Sequence, residues 1–204
     1  MRRLSLGVLC LGLAACSSND SNHGASDGIV FPEEGPVGGD AGEGSFTFGA
    51  ATAAAQIEES VPELDWYVWT KPEPDGLGMG EAFVGEAVRG YELALQDVQL
   101  AEETNLDAYR FNVNWSRIEP RRDEVNQAAL DHYDGLIDAL DAADIKPMIT
   151  LHHFSNPVWV DDPRRDGAAS CTPADEDLCG WNDEAGAAAI IEELAELGAL
   201  MAQE

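Results

Sequence analysis

The order of its hydrophobic periods constrains this chain most, because strand-like and helical patterns take turns three times over. Phe46-Thr47-Phe48-Gly49-Ala50-Ala51-Thr52 alternates and then turns small, as a buried strand end opening into a loop does. Tyr91, Leu95, Val98 and Ala101 recur at helical spacing, and Asn105 supplies a stop before a strand from Ala108 to Val113. A second helix carries Leu130, Tyr133, Ile137 and Leu140, ahead of a strand from Pro147 to Leu151; a third carries Ile190, Leu194, Leu197 and Met201. Such alternation implies an α/β fold with a parallel sheet and helices outside it, either doubly wound or closed into a barrel. Between the first strand and the first helix, Glu59 to Gly85 is rich in Pro, Gly and aromatics, including Trp66, Tyr67 and Trp69. Its length predicts a functional loop.

Charge narrows the partners. The 204 residues hold 11 Lys plus Arg against 39 Asp plus Glu, a formal charge of -28, and Lys71 and Lys146 are the only lysines. A field of that sign repels phosphate, which argues against nucleic acid and against anionic lipid headgroups as partners.

The N-terminus reads as an address rather than as part of the fold. Arg2 and Arg3 precede an apolar run, Leu4 to Ala15, too short to span a bilayer. Leu13-Ala14-Ala15-Cys16 resembles the lipobox of bacterial lipoproteins, in which the cysteine becomes the mature N-terminus and carries acyl chains. The resemblance implies a signal peptide at 1–15 and a lipid anchor on Cys16. Ser17 and Ser18, with no Asp after the cysteine, imply an exported lipoprotein of the bacterial outer membrane. Residues 16–44 then form an acidic, Gly- and Ser-rich flexible linker with no Lys or Arg and little to bury. The folded domain is expected at 45–204. Within it Cys171 and Cys179 bracket a polar loop, and in an exported chain the natural reading is a disulfide. A metal site is the competing reading, but no His lies nearby, and two thiolates alone make a poor zinc cage.

No glycine-rich dinucleotide fingerprint follows the first strand and no phosphate loop occurs, so nucleotide cofactors lose their support. In a barrel, chemistry sits at the C-terminal ends of strands. Here those ends read Gln56 and Glu58, then Asn114-Trp115-Ser116-Arg117, then His152-His153-Phe154. Polar groups mixed with aromatics suit a sugar, whose hydroxyls need directed hydrogen bonds while its C–H faces pack on rings.

Three segments carry a more specific resemblance. Phe46-Thr47-Phe48-Gly49-Ala50-Ala51-Thr52-Ala53-Ala54-Ala55-Gln56-Ile57-Glu58 closely resembles the N-terminal signature of glycoside hydrolase family 1, the β-glucosidase family. Tyr109 to Pro120 is similar to its second-strand segment and Thr150 to Trp159 to its third, in family order and spacing. The resemblance implies the N-terminal part, about three strand-helix units, of a TIM (β/α)8 barrel. It also implies retaining hydrolysis of terminal β-glycosyl residues, from a β-linked oligosaccharide or aryl glycoside, by two glutamates about 5 Å apart. Gln56 and His153 match positions that hydrogen-bond the terminal sugar, and Phe154 a wall of its pocket. Arg110 matches the arginine that keeps the nucleophilic carboxylate ionised. No metal or organic cofactor is implied, since carboxylates alone carry the protonation and displacement.

The remaining candidates receive structural readings. Glu58 and Glu119 are read as structural acids, His152 as structural, His132 as a surface residue of its helix, and Trp115, Trp159 and Trp181 as packing. Three positions depart from the family pattern: Ala55 replaces an aromatic or His, and Arg89-Gly90 an Asp-His pair.

The catalytic glutamates themselves are expected elsewhere. In the family they stand in Asn-Glu-Pro and Glu-Asn-Gly tripeptides, and neither occurs here. The last helix runs to Gln203 and Glu204 without a stop signal, and about 160 residues follow Gly44 where a closed barrel takes about 250. The expectation is an incomplete barrel domain, the N-terminal portion of a longer glucosidase, with no catalytic residue in this chain and no activity alone. The alternative is a surface-anchored, non-catalytic sugar-binding lipoprotein that kept the sugar contacts.

Overall fold

A computed structural model describes residues 47–165, 171–174 and 176–203. The expected signal peptide at 1–15, the lipid-anchor candidate Cys16 and the expected linker at 16–44 lie outside the described residues.

Three parallel strands form one sheet in the order β1-β2-β3: β1 (Gly49–Ala51), β2 (Ala108–Asn112) and β3 (Lys146–Thr150). The register pairs Ala51 with Arg110, and Arg110 with Met148. Short helices α1 (Ala54–Ile57) and α2 (Asp65–Thr70) follow β1, ahead of α3 (Ala94–Glu103). After β2 come α4 (Trp115–Ile118) and α5 (Gln127–Ala142), and after β3 comes α6 (Glu184–Met201). The stretch expected to be loop between Glu59 and Gly85 therefore holds a helix of its own, α2.

The sheet is wound in one direction only. Tyr109, Phe111 and Val113 point toward α3, α5 and α6 and join Val98, Leu130, Leu136, Leu140, Ile190 and Leu197 in a single core. The alternate positions, Arg110 and Met148, face the other way, and Met148 is 58% exposed. A doubly wound sheet would carry helices on both faces. Helices on one face and strands in sequential order are the arrangement of a barrel wall, which decides between the two readings that periodicity left open.

Both connections from helix to strand use the same device. At the end of α3, Asn105 takes φ +54°, its amide donates to the Glu102 carbonyl at 3.0 Å, and the Leu106 amide donates to Ala101 at 3.0 Å. At the end of α5, Asp144 takes φ +59°, with its amide on Asp141 at 3.0 Å and the Ile145 amide on Leu140 at 2.9 Å. Each is a left-handed cap that satisfies the last carbonyls and turns the chain into the next strand, with Leu106 or Ile145 tucked beneath. Asn and Asp tolerate that conformation better than other non-glycine residues.

Two expected faces are rotated. In α3 the buried stripe is Ala94, Val98 and Ala101, and Leu95 is 62% exposed. In α6 a charged residue, Glu193, is buried between Ile190 and Leu197, where it pairs with Arg122. Cys171 and Cys179 are bonded, with their Cα atoms 5.7 Å apart.

Candidate functional site

Gln56 is presented by the single turn of α1, which three anchors hold over the C-terminal edge of the sheet. The Ala54 amide donates to Asn112 Oδ1 at 2.6 Å, fixing the turn to the end of β2. The Gly90 amide donates to the Ile57 carbonyl at 2.7 Å, so closely that a β-carbon at Gly90 would come within 2.8 Å of the Ile57 side chain. That approach is why glycine suits a position where the family pattern has a larger residue.

The third anchor is buried and ionisable. Glu58 accepts the Tyr133 hydroxyl, at 3.0 and 3.1 Å to its two oxygens, and lies 3.6 Å from Arg117 Nε. The guanidinium covers the Tyr91 ring at 3.9 Å and donates to the Glu59 carbonyl. Burial drives the Glu58 carboxyl up to about 7, against the opposing pull of Arg117 and of the hydrogen bond from Tyr133. Its place in the fold agrees with the structural reading. His132, read as a surface residue, is instead half-buried, stacked on Tyr91 at 3.6 Å. Burial and the nearby Arg117 cation lower its pKa.

His153 and Phe154 follow β3, and a polar clasp sets their loop against α2. Asp65 Oδ2 accepts both the backbone and the side-chain amide of Asn156, at 3.0 and 3.1 Å, and the Asp65 amide donates back to the Asn156 carbonyl at 3.0 Å. Asn156 Oδ1 in turn meets His152 Nε2 at 3.0 Å and accepts from Trp181 Nε1 at 3.1 Å. Desolvation pushes the Asp65 carboxyl up to about 7 in spite of these donors. Neither Asp65 nor Asn156 was singled out from sequence, because nothing local links residues so far apart in the chain.

The clasp puts Trp66 edge-on to Phe154, centroids 5.4 Å apart, and Phe154 edge-on to His153 at 4.7 Å. Gln56, Trp66 and Phe154 then line one hollow of about 250 Å³, closed by Ala55, Val84 and Ala87. One further feature belongs to its lining and one lies beside it. Phe154 takes φ +52°, a left-handed conformation that costs an L-residue roughly 1–2 kcal/mol. His153 Nδ1 is buried and has no hydrogen-bond partner among the described residues. Strained backbone and unsatisfied buried polar atoms both concentrate at binding sites.

Arg110 lies apart from that hollow's lining. It donates from Nη1 to the Thr52 carbonyl at 2.9 Å, on the open face of the sheet at the end of β1. Glu119 is fully engaged: it accepts Trp115 Nε1 at 2.9 Å and the Asp123 amide at 2.7 Å, and its carbonyl accepts Trp159 Nε1 at 2.9 Å. Trp115 and Trp159 are thus packing residues tied to one acid.

Parallel strands wound one way, with helices outside and the aromatic and polar rim at the strand C-termini, define part of a (β/α)8 barrel. Residues 42–167 match the profile of glycosyl hydrolase family 1, and the chain belongs to that family. It is 37% identical over 160 residues to β-glucosidase 6 of rice, Oryza sativa subsp. japonica, a match that covers 76% of this chain and 28% of the rice protein. A β-glycosidase from Pyrococcus horikoshii superposes with a TM-score of 0.57 at 31% identity, over 74% of this chain and 32% of that structure. The β-glycosidase BGL167 does so with a TM-score of 0.52 at 33% identity, over 56% of this chain and 27% of its own. The chain thus spans about a third or less of the relatives it matches.

Proposed function

We propose that this chain forms the sugar-holding wall of a retaining β-glycosidase that acts on terminal, non-reducing β-D-glycosyl residues of a β-linked oligosaccharide or aryl glycoside. One observation carries the reading: Gln56 and Phe154, from the loops after β1 and β3, line the same hollow, with His153 beside it. Gln56 offers both a donor and an acceptor to a pair of hydroxyls, and His153 stands next to Phe154 at the edge of the hollow. Phe154 and Trp66 supply ring surface for the C–H faces of the sugar. In this reading Arg110 keeps its positive charge on the open face of the sheet, for the nucleophilic carboxylate that the barrel interior would hold.

Hydrolysis with retention needs two carboxyl groups about 5 Å apart. The tripeptides that bear them in the family do not occur in the sequence, and Glu58 and Glu119 are both engaged by partners of the fold. We therefore assign the pair to a segment beyond these 204 residues. Residues 16–204 are expected to bind methyl β-glucoside without hydrolysing an aryl β-glucoside, and Gln56→Ala to weaken binding at least tenfold, about 1.4 kcal/mol. Steady release of the aryl alcohol by the purified chain would refute the division of labour.

Localisation enters as part of the proposal. The basic and apolar N-terminal run, followed by Cys16, supports an exported lipoprotein of the bacterial cell envelope, held at the outer membrane with residues 16–44 as its tether. Among the described residues no helix is long and apolar enough to cross a membrane. Labelled fatty acid is expected to be incorporated in the bacterial host and lost in Cys16→Ser; label that survives the substitution would remove the anchor.

A further inference from the structure

The single turn of α1 cannot hold itself, because its 4 residues form too few helical bonds to offset the ordering of their backbone. Glu58 closes that turn and anchors it at once. Its amide donates to the Ala54 carbonyl at 2.9 Å, and its buried side chain reaches into the core beneath. Gln56 stands two residues back along the same turn and is exposed to the hollow.

The bonding around the carboxyl is incomplete in one specific way. The Tyr133 hydroxyl gives its proton to Glu58 and accepts the Asn114 amide at 3.0 Å. The Asn114 side chain faces the same carboxyl, yet its Oδ1 is buried and has no hydrogen-bond partner among the described residues. An ionised carboxylate only accepts, so it offers that oxygen nothing, whereas a neutral acid carries one O–H donor. Because an unmet buried acceptor keeps its whole desolvation penalty, a protonated Glu58 fits this pocket better than an ionised one.

The neighbouring groups leave that balance in place. Arg117, from α4, is the cation beside the carboxyl, at 3.6 Å from Nε, and Glu59 sets a like charge against it. Tyr91, Tyr109 and Tyr133 are kept un-ionised, each chiefly by burial, and burial also pushes His132 of α5 toward its neutral form. From α3, Asp97 borders the same internal gap and is itself raised by burial. Desolvation outweighs Arg117 and puts the Glu58 carboxyl at about 7.

We propose that Glu58 is a positioning residue for the sugar site: its neutral carboxyl donates to Asn114 Oδ1, and that bond holds α1 with Gln56 turned to the hollow. When the proton leaves to solvent, two acceptors stand face to face, the Asn114 amide has to turn to present Nδ2, and the footing of α1 shifts. The inference rests on the proposed function for what Gln56 binds. It adds a proton to the complex, since sugar and proton then raise each other's affinity.

Titration calorimetry of the full chain in detergent tests it, with methyl β-glucoside as probe, at pH 5 and pH 8 and in two buffers of different ionisation enthalpy. With the carboxyl at about 7, roughly one copy in ten keeps the proton at pH 8, so affinity is expected to fall up to about tenfold from pH 5, with proton uptake on binding at pH 8. Glu58→Gln keeps a neutral donor for Asn114 Oδ1 and should bind at pH 8 as the wild type does at pH 5, with no uptake. Asp65→Asn removes the other acid raised to about 7 and should leave the pH dependence and the uptake in place. Arg117→Met removes the cation that opposes burial, so it should move the midpoint to higher pH; it serves if Glu58→Gln does not fold. Binding indifferent to pH, or uptake that persists in Glu58→Gln, would overturn the role of Glu58 and leave the sugar site standing. No binding at either pH would sink the sugar site and this role together.

Discussion

Arg117→Met is expected to cost more folding stability at pH 8 than at pH 5, the excess reaching about 1.4 kcal/mol. The pH dependence comes from Glu58, whose carboxyl is buried beneath α1 and pushed from 4.5 up to about 7 by desolvation. Because its pKa is raised on folding, the protonated acid is the form that the folded state favours. The associated stability is complete below about 4.5, declines as pH rises toward 7, and has been lost above it, a swing of about 3 kcal/mol. At pH 8 the folded protein therefore holds an ionised Glu58, and Arg117 is the cation beside it. Methionine keeps the apolar stem and removes the charge, so the carboxyl, left with the Tyr133 hydroxyl and the Asn114 side chain, gives up its ionised form and the folded state loses what ionisation at pH 8 supplied. At pH 5 the same substitution faces a neutral acid and removes mainly the contact with Tyr91 and the bond to the Glu59 carbonyl. Urea midpoints of wild type and variant at both pH values supply the comparison, and Glu58→Gln should flatten the wild-type pH profile. Asp65, raised to about 7 from 3.8, contributes in the same direction and is untouched by either substitution. An Arg117→Met penalty equal at pH 5 and pH 8 would remove Glu58 as the responsible group.

Two glycines in helices should answer in opposite directions when changed to alanine. Gly186 sits in the first turns of α6, where its amide donates to the Asp183 carboxylate at 2.9 Å. An added β-carbon there would run into the Leu178 carbonyl oxygen and come within 2.7 Å of the Gly180 carbonyl. Both obstacles are backbone, and the loop bearing them is held by the Cys171–Cys179 bond and by amide bonds to Trp159 and Val160. Neither side can yield cheaply, so Gly186→Ala is expected to destabilise by roughly 1–3 kcal/mol or more. Gly135, in the middle of α5, is exposed and would meet nothing within 4 Å. Gly135→Ala should stabilise by about 0.5–1 kcal/mol, the ordinary helix-propensity gain. Thermal midpoints of the two variants test the packing of α6 against a matched control; a neutral Gly186→Ala would mean that the helix stands farther from that loop.

The Glu58 brace has a bearing on binding because it holds α1 in place. Asn112, Gly90 and the Arg117–Glu58–Tyr133 group anchor the turn from three directions, and Gln56 is the exposed residue between them. On the far side of the hollow the Asp65–Asn156 clasp does the same for Phe154. Both anchors contain an acid that burial favours in its neutral form, so the two loops that define the hollow lose stability as pH rises through about 7.

What the sequence determined by itself was local. Alternating hydrophobic periods located strands and helices because side-chain direction repeats every two or every 3.6 residues, and Asn105 marked a helix end because its conformational tolerance is a property of the residue. Gln56, His153 and Phe154 could be picked out because each sits inside a contiguous motif. Tertiary structure decided the rest. Which side of α3 is buried depends on α5, so Leu95 faces solvent although its spacing suits a core position. The barrel sense of winding depends on which face the helices share, and periodicity reads the same for either. The partners of Glu58 and the clasp between Asp65 and Asn156 join residues 59 to 91 positions apart, and the hollow lined by Gln56, Trp66 and Phe154 lies where separate loops meet. No local pattern encodes such pairings, because their energy exists only once the sheet has brought the loop ends together.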